Sequence, residues 1–283
     1  MLTEITPLIL TFNEAPNIER TLERLTWARD VVVVDSFSDD QTLGLVSRFP
    51  NVRVYQRKFD SFAGQCNFGL TETGIATEWV LNLDADYVLT DELIAEVKAL
   101  KPNDAIGGYR SRFIYCINGR RLRSGIYPPV TILFRRSQAY FRDDGHAHRV
   151  MVHGDTQNLH SPVLHDDRKS LSHWFGAQSR YTKLEANKLL TAPRNELSWT
   201  DRIRTWRLFA PPAMLFYCLI LRGGVVDGWL GFYYAFQRSF AELMLSLYLL
   251  EHDLNETEFN QENKNRGVGS EPAVTSPVTK ANL

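Results

Sequence analysis

The chain has little of several features that mark common classes of protein. Its 283 residues include three cysteines, Cys66, Cys116 and Cys218, which form no CxxC pair and no even-numbered framework. This favours a reduced, cytoplasmic setting over a disulfide-bonded one. The formal net charge is −1, so no overall positive field indicates nucleic-acid binding. No basic segment followed by a long apolar run opens the sequence, so we expect no signal peptide.

Signatures of several enzyme classes are also absent from the sequence. It contains no Gly-x4-Gly-Lys phosphate-binding loop, no Gly-x-Ser-x-Gly nucleophile elbow and no Ser-His-Asp order. Apolar residues, by contrast, make up 44% of the chain, which is enough to build a full core. This length fits one large domain with an appendage, or two small domains.

The first third of the chain alternates strand-like and helix-like segments four times. Uninterrupted apolar runs such as Val31–Val34 predict strands that are covered on both faces, as a parallel sheet requires. Pro16 and Thr90 stand where two of the helices begin. The pattern predicts an α/β fold with a mostly parallel sheet and helices on both faces. The predicted strands are 5–12, 31–34, 51–56 and 78–81, and the predicted helices are 17–25, 42–49, 62–73 and 90–100.

Acidic side chains follow the predicted strands. Asp84 and Asp86 come after the fourth strand, and two residues this far apart on a strand point to the same side. Right-handed crossovers bring Asn13 and Asp35 to the same edge of the sheet, where open α/β sheets bind ligands. Paired carboxylates suit Mg²⁺ or Mn²⁺, which keeps part of its shell for substrate phosphates. The sequence therefore predicts a metal–diphosphate site, with a solvated Asp-x-Asp turn as the alternative.

From Gly107 the pattern changes to shorter segments separated by turn signals such as Asn118-Gly119. The segments 109–117, 123–134 and 139–141 predict a smaller antiparallel half, which supplies the second wall of the cleft. His165-Asp166-Asp167 follows a further apolar run, 162–164, and its carboxylates are available for general base chemistry. His165 is either a metal ligand or a hydrogen-bonded structural histidine.

A helix is predicted from Ser170 to Leu190. Trp174, Gln178, Tyr181 and Glu185 fall three or four residues apart, so they share one face of it. That mixed polar and aromatic face lines a sugar site or forms the packed side of an ordinary amphipathic helix.

The most apolar part of the sequence is 206–250. Pro211-Pro212 and two glycine-rich stretches interrupt it, so neither run reaches the about 20 apolar residues of a spanning helix. Its aromatic and arginine side chains favour a helical hairpin in a bilayer interface. The alternatives are a dimer surface, a helical pair buried on the catalytic domain, and a true membrane span. The segment from Glu251 to Leu283 is polar and aperiodic, so we expect it to be disordered or loosely attached.

Three motifs in the first third, in this order and spacing, resemble glycosyltransferase family 2, the GT-A nucleotide-sugar transferases. They are Thr11-Phe12-Asn13-Glu14, Asp35-Ser36-Phe37-Ser38-Asp39-Asp40 and Leu83-Asp84-Ala85-Asp86. The His165-Asp166-Asp167 segment, the Trp-x3-Gln-x2-Tyr helix and the segment Gly224–Gly228 resemble the branch related to lipopolysaccharide-core β-glucosyltransferases.

The resemblance implies a GT-A, Rossmann-like fold and a role for each matching residue. Asp86 holds Mg²⁺ or Mn²⁺ on the diphosphate, with His165 as a further ligand. Asp167 is the base that accepts the acceptor proton, because the branch places its acid two residues after the histidine; Asp166 is the alternative. The nucleotide- and donor-binding residues are Thr11, Asn13, Glu14, Asp35, Arg57, Gln65, Asn67 and Asp84.

The sequence thus predicts an inverting, metal-dependent glycosyltransferase that uses a nucleoside diphosphate sugar, with UDP-sugar favoured. We expect a lipid-linked or lipopolysaccharide-type acceptor and peripheral attachment to the inner face of the cell membrane; a homo-oligomer stays open. The alternatives are a nucleotidyltransferase and a non-catalytic membrane-associated scaffold. The expected divisions are a nucleotide-sugar half (1–104), an acceptor half (105–195), an apolar helical segment (196–252) and a disordered tail (253–283).

Overall fold

The computed structural model describes residues 1–144 and 147–265. The strands in chain order are β1 (Ile5–Thr11), β2 (Val31–Asp35), β3 (Val52–Gln56), β4 (Trp79–Asp84), β5 (Tyr87–Leu89), β6 (Ile106–Ser111), β7 (Phe113–Ile117), β8 (Arg120–Arg121), β9 (Val130–Arg135), β10 (Ala139–Asp144), β11 (Ala147–Val152), β12 (Asp155–Asn158) and β13 (Val163–His165). Seven of these strands form one sheet in the spatial order β12-β6-β9-β4-β1-β2-β3, and four of its six pairings are parallel.

Helices cover both faces of this sheet. Side chains alternate along a strand, so Val31 and Val33 of β2 face one side of the sheet and Val32 and Val34 the other. The α-helices in chain order are α1 (Ile18–Glu23), α2 (Thr42–Val46), α3 (Phe62–Thr71), α4 (Asp91–Ala99), α5 (Leu171–Thr191), α6 (Trp199–Arg204), α7 (Ala210–Phe216) and α8 (Trp229–Asn265). Helices α1, α2 and α4 pack on the first side and α3 packs on the second, which confirms the predicted α/β fold.

A second, four-stranded sheet has the order β5-β13-β7-β8. Its strand β13 pairs antiparallel with β5 and parallel with β7. The predicted antiparallel half is therefore divided: β6, β9 and β12 extend the main sheet, while β7, β8 and β13 build the small sheet against β5. The Asn118-Gly119 turn joins β7 to β8 as predicted, and both residues have positive φ, as a tight hairpin turn requires.

Two predicted strands were wrong in their extent. The segment 109–117 is interrupted at Arg112 and contributes to two different sheets, because β6 pairs with β9 and β7 pairs with β13. In the segment 123–134 only the part from Val130 is a strand, and residues 122–129 form a connecting loop. The loop is fastened by side chains of the C-terminal helices, which replaces the ladder hydrogen bonds of a strand.

The C-terminal part of the chain is helical, and α7 packs against α8. Pro211 and Pro212 lie in the first turn of α7, where their missing N–H groups cost nothing, so they start this helix rather than break it. In the parts of the chain that are described, no helix is long and apolar enough to cross a membrane. Helix α8 continues to Asn265, inside the segment predicted as a tail, and 266–283 lie outside the described residues.

Candidate functional site

The ends of β1 and β2 are joined by a buried hydrogen-bond group. Thr11 Oγ1 donates to Asp35 Oδ1 at 2.9 Å, and both residues are buried. Asp35 also accepts from the backbone N–H and the hydroxyl of Ser38 and, at 3.3 Å, from Gln56 Nε2. Its carboxylate therefore fixes the loop that follows β2 at the carboxyl edge of the sheet.

The loop after β1 is tied to the same segment. Asn13 adopts a left-handed conformation, with φ of 54°, which asparagine tolerates better than most residues. Its side chain exchanges two hydrogen bonds with Asp39, and its backbone N–H donates to Ser38 Oγ. The predicted residues Thr11, Asn13 and Asp35 thus lie in one connected group.

Asp86 and His165 form a buried pair at the end of β4. The strand β13 runs antiparallel to β5 with His165 opposite Tyr87, so the imidazole lies beside the residue that precedes β5. Nε2 of His165 is 3.1 Å from Oδ2 of Asp86. Burial alone would raise the pKa of Asp86 and lower that of His165. The attraction between the two groups outweighs burial, so the pKa of Asp86 is lowered and that of His165 is raised.

The pair also has unused polar atoms. Oδ1 of Asp86 and Nδ1 of His165 are buried and have no hydrogen-bond partner among the described residues. Buried polar groups normally have one, so these atoms indicate an absent ligand. The other two atoms of the pair have a spacing that suits an ion: two ligands of an octahedral ion at about 2.1 Å lie about 3.0 Å apart, and Nε2 and Oδ2 are separated by 3.1 Å.

The donor set of Asp86 and His165 fits a divalent ion that takes its other ligands from water and substrate phosphates. Within 1–144 and 147–265, no group of three or more His, Cys, Asp or Glu side chains is placed to hold a metal ion. The protein contribution would therefore be small, as in sites where the substrate completes the coordination shell. Asp84, at the end of β4, lies near enough to raise the pKa values of Tyr87 and Tyr127, after burial as the larger cause.

Three tyrosine rings surround the imidazole of His165, and we call them the tyrosine cage. Tyr87, Tyr115 and Tyr127 meet it edge-on, with ring centroids 5.2, 5.0 and 5.0 Å away. The hydroxyls of Tyr87 and Tyr127 are 2.6 Å apart. The cage fixes the ring orientation and excludes water, which is the usual work of groups around a ligating histidine.

Glu14 and Asp167 belong to a second network on the same edge. Asn17 Nδ2 donates to Glu14 Oε2 and to Asp167 Oδ1, each at 2.9 Å, and Lys169 Nζ pairs with Glu14 Oε1. Burial raises the pKa of Glu14 to about 7, although Lys169 acts in the opposite direction. Oδ1 of Asp167 also accepts the N–H of Lys169, while no donor among the described residues reaches its Oδ2.

Asp166 has a different environment from its neighbour. It is 4% exposed and its Oδ2 accepts from Arg20 at 2.7 Å and from Arg168 at 3.0 Å. Its Oδ1 accepts the backbone N–H of Gly119 at 2.9 Å. Asp166 is therefore an anchor that ties α1, the β7–β8 turn and the loop after β13 together.

Three of the residues predicted to bind the nucleotide or the donor sugar lie near the start of α3. Arg57 makes a two-point ion pair with Asp60 and donates to Gln65 Oε1 at 2.8 Å. Gln65 also donates to Ser36, which links it to the loop after Asp35. Asn67 instead joins α3 to β10, since its amide both donates to and accepts from the backbone of Phe141.

The shared face of α5 has more than one environment. Trp174 packs on Phe240 of α8, and Glu185 is buried against Arg204, so these two residues perform the packing role. Tyr181 is close enough to Asp84 and Lys169 for their charges to act on its pKa, which burial, the larger cause, raises. One turn of the helix thus faces the site and the rest packs on the helices that follow.

Sequence reasoning missed four residues that hold the site: Asn17, Arg20, Lys169 and Tyr127. The only local signal was the position of Arg168 and Lys169 directly after the His-Asp-Asp segment. Asn17 and Asp167 are 150 residues apart in the chain, so no local pattern connects them.

Several known proteins are similar to the chain. An uncharacterized glycosyltransferase from Rickettsia bellii is 35% identical over 96 residues, which is 34% of this chain and 32% of that protein. The alignment thus covers only about a third of that protein. The lipopolysaccharide core biosynthesis glycosyltransferase LpsC from Rhizobium meliloti is 24% identical over 231 residues, covering 78% of this chain and 82% of LpsC.

Two solved structures are also similar. TarS 1-349 of S. aureus in complex with UDP-GlcNAc has a TM-score of 0.46 at 15% identity, covering 94% of this chain and 92% of that one. Glucosyl-3-phosphoglycerate synthase from Mycobacterium tuberculosis, in complex with Mn²⁺, UDP and phosphoglyceric acid, has a TM-score of 0.45 at 14% identity, covering 68% and 80%.

The sequence model of one family matches residues 8–153, just over half of the chain. This range includes the carboxyl end of β1 and all of β2 and β4, whose ends hold Thr11, Asp35 and Asp84. A match of that extent shows that the chain belongs to glycosyl transferase family 2.

Proposed function

We propose that the chain transfers a sugar from a nucleoside diphosphate sugar to an acceptor hydroxyl, with inversion at the anomeric carbon. The observation that supports this most is the buried Asp86–His165 pair, with its two unpartnered polar atoms, at the carboxyl end of β4. Strand ends of this kind are where open α/β sheets bind their ligands.

In this proposal the nucleotide lies across the ends of β1 and β2, and UDP is the favoured nucleotide. The base binds beside Asp35, whose carboxylate exchanges one of its Ser38 hydrogen bonds for a base N–H. Thr11, Asn13 and Glu14 line the pocket, and Gln65 with Arg57 borders it through Ser36. Asn67 acts only indirectly, by holding α3 on β10.

Asp86 and His165 would hold Mg²⁺ or Mn²⁺, and Asp84 would orient the ribose or the donor sugar. A divalent ion bound there would neutralise the charge that develops on the departing diphosphate. The tyrosine cage keeps the imidazole in position and keeps water away from it. Exclusion of water strengthens every charge interaction in the site.

Asp167 is the proposed base. Its Oδ1 is held by Asn17 and Lys169, and its Oδ2 is left to accept a proton. Asp167 takes the hydroxyl proton as the acceptor oxygen bonds to the anomeric carbon. The bond from that carbon to the diphosphate oxygen breaks, and its electron pair stays on the diphosphate. Asp166 is less suited to this step, because Arg20, Arg168 and Gly119 occupy both of its oxygens.

A lipid-linked or lipopolysaccharide-type glycan is the proposed acceptor, in cell-envelope glycan synthesis at the inner face of the cell membrane. LpsC, named for lipopolysaccharide core biosynthesis, aligns over most of the chain. The short turns before and after α7 and the start of α8 also expose large apolar side chains: Phe209 is 71% exposed, Val226 70% and Trp229 87%. With the exposed Arg222 beside them, they suit the interface of a bilayer with anionic lipids.

The test is a thermal-shift titration with UDP, GDP and Mn²⁺, followed by hydrolysis assays on a panel of nucleoside diphosphate sugars. The free energy of unfolding should rise by RT ln(1 + [L]/Kd) for the correct nucleotide, and the unfolding temperature should rise with it. The release of nucleoside diphosphate in the hydrolysis assay should require the divalent ion. No shift at millimolar nucleotide would favour a scaffold instead, and pyrophosphate released from a nucleoside triphosphate plus sugar phosphate would favour a nucleotidyltransferase.

A further inference from the structure

The turn between α7 and α8 has contacts that the proposed chemistry does not explain. It contains Gly224–Asp227 as one short 3₁₀ turn, flanked by Gly223 and Gly228 in conformations with positive φ. A Cβ on Gly231 would lie 1.9 Å from the carbonyl oxygen of Gly224. The backbone of the turn thus lies directly on the start of α8, which fixes where Asp227 points.

Asp227 holds a loop that is about 100 residues earlier in the chain. Its Oδ2 accepts the backbone N–H groups of Arg123 and Ser124, each at 2.9 Å, and the hydroxyl of Ser124 at 2.8 Å. Ser124 is fully buried, so its two donors have no water to replace the carboxylate.

Two more side chains from the same helices hold the next residues of the loop. Arg222 donates to the carbonyl of Gly125 at 2.9 Å. The hydroxyl of Tyr234 accepts the N–H of Ile126 at 3.1 Å. Loop residues 123–126 are therefore fastened one after another to the turn and to α8.

The fastened loop leads directly into the tyrosine cage. The next residue is Tyr127, whose ring contacts His165 and whose hydroxyl meets that of Tyr87. A second route joins the same elements, since the ring of Tyr234 lies 4.8 Å from that of Tyr115, which also contacts His165. Both routes end on the imidazole that pairs with Asp86.

We propose that the α7–α8 turn positions the Asp86–His165 pair through the tyrosine cage, with Asp227 and Tyr234 as positioning residues. The inference deepens the proposed function, because it supplies the reason that His165 stays aligned for a ligand. It also gives the Gly-x2-Asp-Gly segment a role: Gly224 lies too close to the backbone of Cys218 for a side chain, Gly228 adopts a positive φ, and the aspartate fastens the loop.

The test compares four variants. Tyr234→Phe removes the hydroxyl acceptor and keeps the ring on Tyr115, and Asp227→Ala removes the acceptor of three hydrogen bonds. Asp227→Asn keeps an oxygen acceptor, so it should restore much of what alanine loses. Tyr233→Phe is the matched control, because among the described residues the Tyr233 hydroxyl bonds only to Gln237, on the exposed side of α8.

Two readouts follow once circular dichroism has established that the variants are folded. The ring-proton NMR signals of His165, assigned by their loss in His165→Gln, should move in Tyr234→Phe and Asp227→Ala and stay in place in Tyr233→Phe. Binding of Mn²⁺ alone, measured by electron paramagnetic resonance, should weaken about tenfold in the first two variants, as is usual when groups behind a ligand are removed.

The proposal is overturned if folded Tyr234→Phe and Asp227→Ala retain both the wild-type His165 signals and the wild-type Mn²⁺ affinity. A wild-type protein that binds no Mn²⁺ would instead overturn the metal site of the proposed function. The His165 signals alone would then still decide whether the turn positions the imidazole.

Discussion

The site and the C-terminal helical hairpin, which is the segment 206–265 with α7 and α8, differ in opposite ways from the usual rule that charged side chains are exposed and apolar ones buried. At the site, charged groups such as Asp86 and Asp166 are taken out of water. On the hairpin, large apolar groups such as Trp229 and Phe209 are left in water. Buried charge and a broad exposed apolar surface are the two features of a folded chain that most need an explanation.

The difference shows how each region is held. The charges at the site are compensated inside the chain by partners such as Arg20, Lys169 and Asn17. The exposed apolar groups on the hairpin have no such cover among the described residues, and the bilayer surface is the partner proposed for them. Among the described residues, the site is thus compensated except at a few atoms of Asp86 and His165, while the hairpin leaves a whole apolar surface exposed.

The largest expected effect comes from removing the incomplete pair at the site. Asp86→Ala should lower donor hydrolysis or transfer by at least about a hundredfold, because a ligand is lost. Some stability should be lost as well, because His165 loses its contact with Oδ2 of Asp86. Enzyme assays and thermal unfolding measure the two effects, with the exposed Asp91→Ala as control. Activity that survives both Asp86→Ala and chelation would remove the metal from the site.

Variants of the neighbouring residues Asp166 and Asp167 should show which carboxylate is the base and which anchors the structure. Asp167→Asn should lower kcat by about 10²–10⁴-fold with near wild-type stability, because a base is lost but no buried ion pair. Asp166→Asn should cost about 1–3 kcal/mol of unfolding free energy, because the partly buried Arg20 loses its charged partner. Steady-state kinetics and urea unfolding of both variants give the answer. The reverse pattern would assign the base to Asp166.

The hairpin side of the comparison is tested with vesicles of anionic lipid. The double variant Val226→Ser with Trp229→Ser should reduce binding by about a hundredfold or more, since each buried apolar side chain contributes about 1.5–3 kcal/mol. Cosedimentation measures it, with Leu184→Ser, an exposed leucine on α5, as control. Unchanged vesicle binding, together with a wild-type dimer that the double variant dissociates, would make this surface a protein interface instead.

The smallest expected effect is on the pH dependence of stability. Burial raises the pKa of Glu14 from 4.5 to about 7, so the folded state binds its proton more tightly than the unfolded state. Its contribution is present below pH 4.5 and is lost as pH rises through about 7. Glu14→Gln should therefore lose less unfolding free energy than wild type over that interval, as urea titrations at several pH values can measure. If the unfolding free energies of wild type and Glu14→Gln change with pH in parallel, the titrating group is not Glu14.

The first third of the fold could be predicted closely from sequence. A run such as Val31–Val34, buried on both faces, has few structures open to it other than a central parallel strand. The later strands could not, because whether 109–117 forms one strand or two depends on which partners it meets. The loop at 123–127 was predicted to be part of a strand because it contains apolar residues. In the structure Ile126 packs on α8 rather than on a sheet.

The candidate site divides in the same way. Asp35, Asp84 and Asp86 could be located because strand ends are visible in the sequence and converge on one edge. The partners of those groups could not, since Arg20 meets Asp166 across 146 residues and Asn17 meets Asp167 across 150. Such pairs depend on the crossing of elements from both halves, which no local pattern encodes.

The contact between Gly224 and Gly231 has a practical consequence for engineering. A single methyl group on Gly231 would overlap a backbone oxygen, so neither the turn nor the start of α8 can be exchanged alone. Chimeric proteins designed to use a new acceptor should exchange 206–249 as one cassette, together with the loop 122–127 to which it is hydrogen-bonded. Grafts cut inside that cassette should yield insoluble or inactive hybrids.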